Sequence, residues 1–490
     1  MLAATAPVLL LDYFRVPYSR LDGAASAEAN GSGTALGETV SIRGESGSLT
    51  WVRSSDRPSG PTPGAYRLDT TAIFGHVLPD VTGEARLARL GASWEARVPI
   101  YGANGEHVAS VWSDGDGNVF LPFDPDELIL NLWSERYRAF AQTKTRSTFE
   151  AVAKPAYYRA RAIVPTAVRL GLRRLYGRVS APAFPRWPTE TALDDLYGFL
   201  FHLLQELVVD PLPMLSLWPR EYSWSFVLTH DVERASGYAA LERLREIERH
   251  AGYVSSWNFV PLRDYRVEAS VLDRLRGEGC EVGVHGLHHD GRDLDEAHLP
   301  ARLRRMRAFA DEWQAVGFRS PSLLRDFDVI PTLGFEYDSS YPDTDPLQAQ
   351  AGGCCSWLPF HNRDVVELPI TLPQDHNLFE LFGESDATLW CEKAAFLRAR
   401  GGMALVLTHP DYMLEPERRR AYEALLAEFA TDESAWKALP HEVSDWWRSR
   451  AASNLVRRDG GWTVEGPAAA DGAVSFCRDV FGYAASATES

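Results

Sequence analysis

The sequence predicts an α/β fold for the second half of the chain, arranged as a parallel sheet or barrel. From residue 222 onward, apolar strand-like runs alternate with segments of helical apolar spacing that end in glycine. The seven strand candidates are 225–231, 256–261, 281–285, 317–321, 335–339, 365–370 and 403–409. Strands that alternate with helices are typical of parallel sheets, because each return to the sheet needs a crossover.

The first 220 residues show a different pattern. Residues 1–125 contain short strand-like runs separated by clusters of turn residues, which predicts a β-rich N-terminal domain. Residues 126–220 have helical spacing interrupted by a proline-rich linker at 182–188, which predicts a helical connecting region. We therefore expect the α/β domain at 221–455, followed by a C-terminal extension at 456–490 that packs a strand or two against another domain.

The composition of the 490-residue chain indicates two or three globular domains. A hydrophobic content of 45%, with 11% aromatic residues, is enough for a large buried core. Lys and Arg total 50 against 67 Asp and Glu, so the formal charge of -17 argues against a nucleic-acid partner. The five cysteines lack the paired spacing of zinc ribbons, and we expect them to be reduced thiols inside a cell.

The N-terminus does not have the pattern of a signal peptide. Its apolar run has no basic residue before it and is followed by Asp12, so we interpret the run as a first β-strand. No stretch reaches the roughly 18 uncharged apolar residues that a membrane-spanning helix needs. We expect a cytoplasmic protein without a membrane span, with an unrecognised export route as the alternative.

Two histidines follow the third strand candidate at a spacing that suits one metal ion. In the segment EVGVHGLHHDGR, His285 and His289 lie four residues apart. They can bind the same ion if the backbone turns helical after the strand.

Two carboxylates follow the first strand candidate. Asp231 and Glu233 lie two residues apart, and residues i and i+2 of an extended chain point to the same side. We expect both to face one cavity, where one holds the metal and the other handles a proton. Which of the two is the ligand stays open at this point.

Arg319 and His409 also lie at the carboxyl ends of predicted strands, the end at which the active sites of (β/α) barrels assemble. A divalent ion on two imidazoles and one carboxylate keeps positions open for water and lowers the pKa of that water to roughly 7. The carboxylate that does not bind the metal would accept the proton of this water, and Arg319 is placed to pair with Asp231 and keep it ionised. His409 would protonate the departing amine or alcohol.

These motifs resemble those of the polysaccharide deacetylase family, the NodB-homology or carbohydrate esterase family 4 group, over about residues 222–420. The family motifs T-F-D-D-G, H-[S/T]-x-x-H, R-x-P and L-x-H-P are matched in order by Thr229-His230-Asp231-Val232-Glu233, by His285 and His289 with Gly286 between them, by Arg319-Ser320-Pro321 and by Leu407-Thr408-His409-Pro410. The first match departs from the family pattern, because Val232 separates the two acids and the second acid is Glu.

The resemblance implies a distorted (β/α)7 barrel and a metal-dependent hydrolase. It implies that Glu233, His285 and His289 bind a divalent metal, for which we expect Zn first, with Co, Ni or Mn as alternatives. It further implies that Asp231 is the general base and His409 the catalytic acid. Metal binding by Asp231 in place of Glu233 stays the alternative.

Three further side chains are candidates for contact with the substrate. Asp338 follows the fifth strand candidate and could line the substrate groove or form an Asx turn. His376 follows the sixth and could contact substrate or lie in a solvated loop. Trp357 could stack on a sugar ring or pack in the core.

The function that the sequence favours is removal of an acyl (acetyl) group from an amino sugar or glycan-like substrate. One alternative is a hydrolase that cleaves a carbon-nitrogen bond in an acylated small molecule. Another is a glycan-binding protein that has kept the fold without catalysis. The expected partner is a carbohydrate or an acylated small molecule, and the oligomeric state stays open.

Overall fold

A computed structural model describes residues 1–21, 39–54, 63–80, 87, 93–141, 184–347 and 350–481. The first two residues of the linker at 182–188 and part of the helical region predicted at 126–220 therefore lie outside the described residues. The chain divides into two compact units. Unit 1 comprises Met1–Thr143, Thr191–Ser216 and Arg450–Ser490, and unit 2 comprises Lys144–Glu190 and Leu217–Ser449.

Strands and helices are numbered along the chain. The strands are β1 Leu2–Ala4, β2 Tyr18–Arg20, β3 Thr39–Arg43, β4 Ser48–Val52, β5 Gly64–Leu68, β6 Thr71–Gly75, β7 Trp94–Gly102, β8 His107–Asp114, β9 Val119–Phe120, β10 Pro213–Leu215, β11 Trp224–Val232, β12 Ser256–Phe259, β13 Glu281–Val284, β14 Gly317–Phe318, β15 Tyr337–Asp338, β16 Phe360–Asn362, β17 Val365–Glu367, β18 Met403–Thr408, β19 Ala435–Trp436, β20 Asn454–Arg458, β21 Gly461–Glu465 and β22 Val474–Phe476. The α-helices are α1 Leu9–Phe14, α2 Pro125–Trp133, α3 Arg138–Ala141, α4 Ala192–Glu206, α5 Ala235–Ala251, α6 Ala269–Gly277, α7 Leu299–Trp313, α8 Thr388–Ala399, α9 Pro416–Phe429, α10 Pro440–Ala451 and α11 Cys477–Phe481. Short helical turns of other types are Pro321–Leu323, Ile330–Leu333, His376–Phe382, Tyr412–Leu414 and Pro467–Ala469.

Unit 1 contains a mainly antiparallel sheet of the order β2-β1-β3-β4-β9-β8-β7-β5-β6. Its strands lie in the region for which the sequence predicts β structure. The C-terminal extension contributes β22, which pairs antiparallel with β10 in the same unit. Among the described residues, no helix of either unit is both long enough and apolar enough to cross a bilayer.

The apolar run near the N-terminus forms a helix, so its interpretation as a strand is wrong. Helix α1 buries Leu10, Leu11 and Phe14, and the side chain of Asp126 accepts a hydrogen bond from the backbone N–H of Leu9 at 3.1 Å. One backbone N–H in the first turn of α1 thus finds its hydrogen-bond acceptor in a residue that is distant in sequence. A short apolar run does not by itself distinguish a helix from a buried strand.

Unit 2 has an α/β fold around a curled sheet of the order β16-β17-β15-β14-β13-β12-β11-β18. All of these strands are parallel to their neighbours except β16, and each of the seven predicted strands overlaps one of the parallel strands. Beyond β17, the backbone N–H of Leu372 donates to the carbonyl oxygen of Leu405 in β18 at 3.1 Å. Strand β18, the last of the seven predicted strands, thus lies beside β11, the first of them, and is also contacted by the chain that follows β17.

Strand β11 is central to unit 2 because both of its faces are covered. All nine of its residues are buried, as expected for an apolar strand of a parallel sheet between helices. Its pairing with β18 places His230 opposite Thr408, and its pairing with β12 places Asp231 opposite Asn258. The carboxyl ends of these strands therefore bring Asp231 and His409 to the same edge.

Candidate active site

The two carboxylates at the end of β11 converge on one histidine. The Nε2 atom of His285 lies 3.7 Å from Oδ2 of Asp231 and also 3.7 Å from Oε1 of Glu233. The extended backbone of β11 accounts for this arrangement, since residues two apart share a face. Both acids therefore face the same imidazole.

The segment that carries the two histidines is a loop, and the two rings come together without the helical turn that their spacing alone would require. Gly286 and His289 both have left-handed backbone angles, with φ of 64° and 55°. A side chain at Gly286 would also collide with Asp293, whose carboxylate oxygen lies 2.2 Å from the position of a Cβ. That carboxylate accepts a hydrogen bond from the N–H of Leu287 at 3.0 Å and thereby fixes the loop.

Glu233, His285 and His289 together form a set of groups that fits a metal ion. One ligand atom from each lies within 4.8 Å of the others. The Nδ1 atom of His285 donates to the carbonyl oxygen of Arg319 at 3.0 Å, which directs Nε2 into the site. Within the described residues this buried Nε2 has no hydrogen-bond partner. Two imidazole nitrogens and a carboxylate are the donors of many catalytic zinc sites.

The carboxylate of Asp231 is held in place by side chains that do not belong to the candidate metal-binding set. Its Oδ1 accepts a hydrogen bond from Nδ2 of Asn258 at 2.9 Å and lies 3.4 Å from a guanidinium nitrogen of Arg319. Burial raises the pKa of this carboxyl, but the charges of His285, Arg319 and His409 outweigh burial and lower the pKa below its ordinary value. Asp231 is therefore an ionised carboxylate that can accept a proton.

Arg319 is buried and joins three strands. Its guanidinium donates to Oγ1 of Thr229 at 3.0 Å and to Oγ of Ser339 at 2.7 Å, in addition to its contact with Asp231. The planar, forked guanidinium suits several acceptors at fixed angles. The predicted pairing with Asp231 is present, and the other two bonds fix the position of Arg319.

His409 directly follows β18 and lies near the same carboxylate, that of Glu233, as the other two histidines. Its Nδ1 donates to Oδ1 of Asp375 at 2.7 Å, and its Nε2 lies 3.5 Å from Oε1 of Glu233. Burial lowers the pKa of His409, but the carboxylates of Asp375 and Glu233 outweigh burial and raise the pKa well above its ordinary value. The direction of this shift favours the protonated imidazole, the form that can donate a proton.

Asp375 is a site residue that the sequence did not reveal. It accepts hydrogen bonds from both the backbone N–H and the ring Nδ1 of His409, at 2.6 and 2.7 Å. The available signal was a carboxylate directly before His376, in a loop that follows a predicted strand. That signal does not show which of two adjacent polar side chains turns inward.

The structure divides the three candidates for substrate contact. Asp338 is 1% exposed and accepts hydrogen bonds from the N–H and hydroxyl of Ser340 at 2.9 and 2.7 Å, which favours the Asx turn over a groove position. Trp357 is 4% exposed and packs edge-on against Phe396, which favours the core over a sugar platform. The ring of His376 is partly exposed and lies 5.0 Å from that of Tyr412, so its contact with substrate stays a prediction.

Comparisons with known proteins find similarity in solved structures alone, since no family model and no curated protein matches the sequence. The chain is similar to a Mycobacterium smegmatis protein assigned as a polysaccharide deacetylase, with 20% identity, a TM-score of 0.39 and coverage of 49% of this chain and 96% of that chain. It is also similar to Puue allantoinase, with 15% identity, a TM-score of 0.38 and coverage of 48% and 93%. A third similar structure is the chitin deacetylase of Colletotrichum lindemuthianum, with 16% identity, a TM-score of 0.30 and coverage of 46% and 89%. At these identities and TM-scores, a functional assignment depends on the residues of the site.

Proposed function

We propose that this chain is a metal-dependent deacetylase that removes an acyl (acetyl) group from an amino sugar or glycan-like substrate, on a distorted (β/α)7 barrel. The observation that carries the proposal is the position of Glu233 Oε1. It lies 2.8 Å from Nε2 of His289, 3.7 Å from Nε2 of His285 and 3.5 Å from Nε2 of His409. A metal-binding set and a protonated histidine thus share one carboxylate.

The residues proposed to hold the metal are Glu233, His285 and His289. The unpartnered Nε2 of His285 and the mixed nitrogen and oxygen donors fit Zn, with Co, Ni or Mn as alternatives. When bound, such an ion supplies a Lewis acid that polarises the acyl carbonyl and favours ionisation of water.

Asp231 is proposed as the general base. Its carboxylate accepts a proton from the water that attacks the acyl carbon, and Asn258 and Arg319 keep the carboxylate in place during this transfer. The pKa of Asp231 is below its ordinary value, so the carboxylate is ionised at neutral pH and ready to accept this proton.

His409 is proposed as the general acid. Its Nδ1 is committed to Asp375, so the proton that can leave is the one on Nε2, which faces the site. Transfer of this proton to the amine nitrogen accompanies cleavage of the carbon-nitrogen bond and yields a neutral amine and a carboxylic acid. Asp375 acts by holding the imidazole in this orientation.

Acetate release from N-acetylated glucosamine oligomers tests the proposal. We expect Asp231→Asn and His409→Gln each to lower the rate by about 100-fold or more, the range typical of a lost general base or acid. His288→Ala serves as a control in the histidine-bearing loop and should keep the rate. An unsubstituted protein that contains metal but binds the oligomers without releasing acetate would support the glycan-binding alternative instead. Release from acylated small molecules but not from oligomers would support the small-molecule hydrolase.

A further inference from the structure

A cleft with two arginines lies directly beside the proposed metal ligands. Its volume is about 400 Å³, and it is lined by Arg234, Leu262, Arg263 and Asp264. Arg234 follows Glu233 in the chain, and Nε of Arg263 donates to the carbonyl oxygen of Glu233 at 2.9 Å. One guanidinium of the cleft is thus anchored to the backbone of a proposed metal ligand.

The loop that forms the cleft, residues 260–268, is fixed to the same two segments that carry the metal site. The backbone N–H of Leu262 donates to the carbonyl oxygen of Leu287, within the histidine-bearing loop, at 3.1 Å. The hydroxyl of Tyr265 donates to the carbonyl oxygen of Val232 at the end of β11. The cleft walls therefore keep a set position relative to the metal site, which is the requirement for a substrate subsite.

The charge of the cleft is positive although the chain as a whole carries a formal charge of -17. Both arginines are exposed, and among the described residues neither forms an ion pair with a carboxylate. The one lining acid, Asp264, accepts a hydrogen bond at 3.2 Å from the N–H of Ala235, the first residue of α5. The remaining nitrogens of Arg234 and Arg263 are available to an anion from outside.

We propose that this cleft binds an anionic group of the substrate, a carboxylate or a phosphate ester, so that the preferred substrate is an acidic acylated sugar. The inference rests on the proposed function, because it places the anionic group next to the sugar whose acyl group is removed. Two guanidinium groups bind such oxyanions through charge-assisted, often bidentate hydrogen bonds, and they discriminate against neutral sugars.

Binding measured by calorimetry tests the proposal without depending on turnover. The full chain is loaded with Zn and carries Asp231→Asn, so that the probes stay intact. The probes are a disaccharide of glucuronic acid and N-acetylglucosamine, N-acetylglucosamine 1-phosphate, and the neutral N,N'-diacetylchitobiose. We expect at least one acidic probe to bind about tenfold more tightly than the neutral one, which corresponds to one charge-assisted contact. The tighter of the two acidic probes identifies the source of the anion.

Substitutions test whether the two cleft arginines cause the tighter binding of the acidic probe. Arg263→Gln and Arg234→Gln should each remove most of the advantage of the acidic probe, while Arg266→Gln should retain it. Arg266→Gln removes the same charge from the same loop, but the side chain of Arg266 is 88% exposed and lies outside the cleft lining. Arg234→Gln leaves the bond between Arg263 and Glu233 intact, so a loss in that variant is not explained by a displaced metal ligand.

Two results would overturn the inference: equal affinity for acidic and neutral probes, or an acidic advantage that persists when both cleft arginines are replaced by Gln. The outcome is separable from that of the proposed function. Preference for acidic probes in a chain that releases no acetate contradicts the deacetylase and leaves the anion site in place. Acetate release with equal affinities contradicts the anion site alone.

Discussion

Glu233 is the side chain that connects the three histidines of the site. Burial raises the pKa of its carboxyl, but the neighbouring imidazoles of His285, His289 and His409 outweigh burial and bring the pKa well below its ordinary value. The carboxylate is therefore ionised and can act as a ligand. Glu is longer than the Asp of the family motif by one methylene, and it still reaches all three imidazoles from just beyond the end of β11.

Removal of one imidazole should abolish metal binding. We expect His285→Ala to lose the metal that the unsubstituted protein retains after dialysis, because the remaining two groups leave the ion with too few ligands. Metal content per chain, measured by mass spectrometry of the purified protein, checks this. His288→Ala is the matched control and should keep the full content. Retention of one metal ion per chain by His285→Ala would contradict the assigned ligand set.

Loss of the carboxylate behind His409 should change the pH dependence of the reaction. Asp375 raises the pKa of His409, so the acid stays protonated to a higher pH than an ordinary histidine. In Asp375→Asn this pKa falls, and the decline of the rate on the alkaline side should move to lower pH. The pH profile of acetate release measures this shift. An unchanged alkaline decline, with a lower rate at every pH, would indicate a structural role for Asp375.

At the scale of elements, the positions of the strands could be predicted and the shapes of the loops could not. Buried parallel strands leave long apolar runs, and the order of the chain places their polar ends at one edge. The histidine-bearing loop depends on Gly286 and on the contact of Asp293 with the N–H of Leu287. The orientation of Asp375 likewise depends on the backbone of His409, a residue 34 positions away. Contacts of this kind leave no periodic pattern in the sequence.

Alanine at Gly286 should destabilise the loop and weaken metal binding. Its φ of 64° disfavours any side chain, and a Cβ would lie 2.2 Å from the carboxylate of Asp293. We expect Gly286→Ala to weaken the free energy of zinc binding by about 1–3 kcal/mol, the range for strained backbone at a functional site. Zinc affinity by competition with a chromophoric chelator measures the effect. Gly277→Ala, where no atom lies within 4 Å of the added Cβ, is the control and should leave the affinity unchanged.

Helix α5 is joined to β11 by a buried polar network centred on Glu248. Its carboxylate contacts Nε2 of His230 at 2.5 Å, and it accepts hydrogen bonds from Ser255, Tyr422 and Arg245 at 2.6, 2.7 and 2.9 Å. Burial raises the pKa of Glu248, but His230 and these hydrogen bonds lower it from 4.5 to about 2. The network therefore stabilises the fold only while Glu248 is ionised.

The contribution of Glu248 to stability should be lost in acid. Because the pKa is lower in the folded chain than in the unfolded one, the contribution is fully present above about pH 4.5 and is lost as the pH falls towards about 2. A depression of this size corresponds to roughly 3 kcal/mol. Denaturant unfolding at a series of pH values should show a smaller acid-induced loss of stability for Glu248→Gln. If the free energy of unfolding fell equally with pH in Glu248→Gln and in the unsubstituted protein, the assigned role of Glu248 would be contradicted.

At the scale of the whole molecule, the parallel α/β unit follows from the sequence, whereas the return of the chain to unit 1 before the predicted boundary at residue 455 does not. Arg450 illustrates the reason. Its buried guanidinium donates to the carbonyl oxygens of Tyr13, Leu215 and Ser216, which come from two distant segments of unit 1. Burial lowers the pKa of Arg450 to about 9. An arginine in an amphipathic helix predicts a solvated position, and nothing in its neighbourhood indicates three buried acceptors elsewhere in the chain.

The central claim is that a single metal ion on Glu233, His285 and His289 makes this chain a deacetylase. The most direct test is a titration of chelator-treated protein with Zn while acetate release from N-acetylated glucosamine oligomers is followed. The account predicts that the rate rises from background and levels off at one Zn per chain, and that His285→Ala stays at background throughout. Release that is independent of Zn, or equal release by His285→Ala, would contradict it.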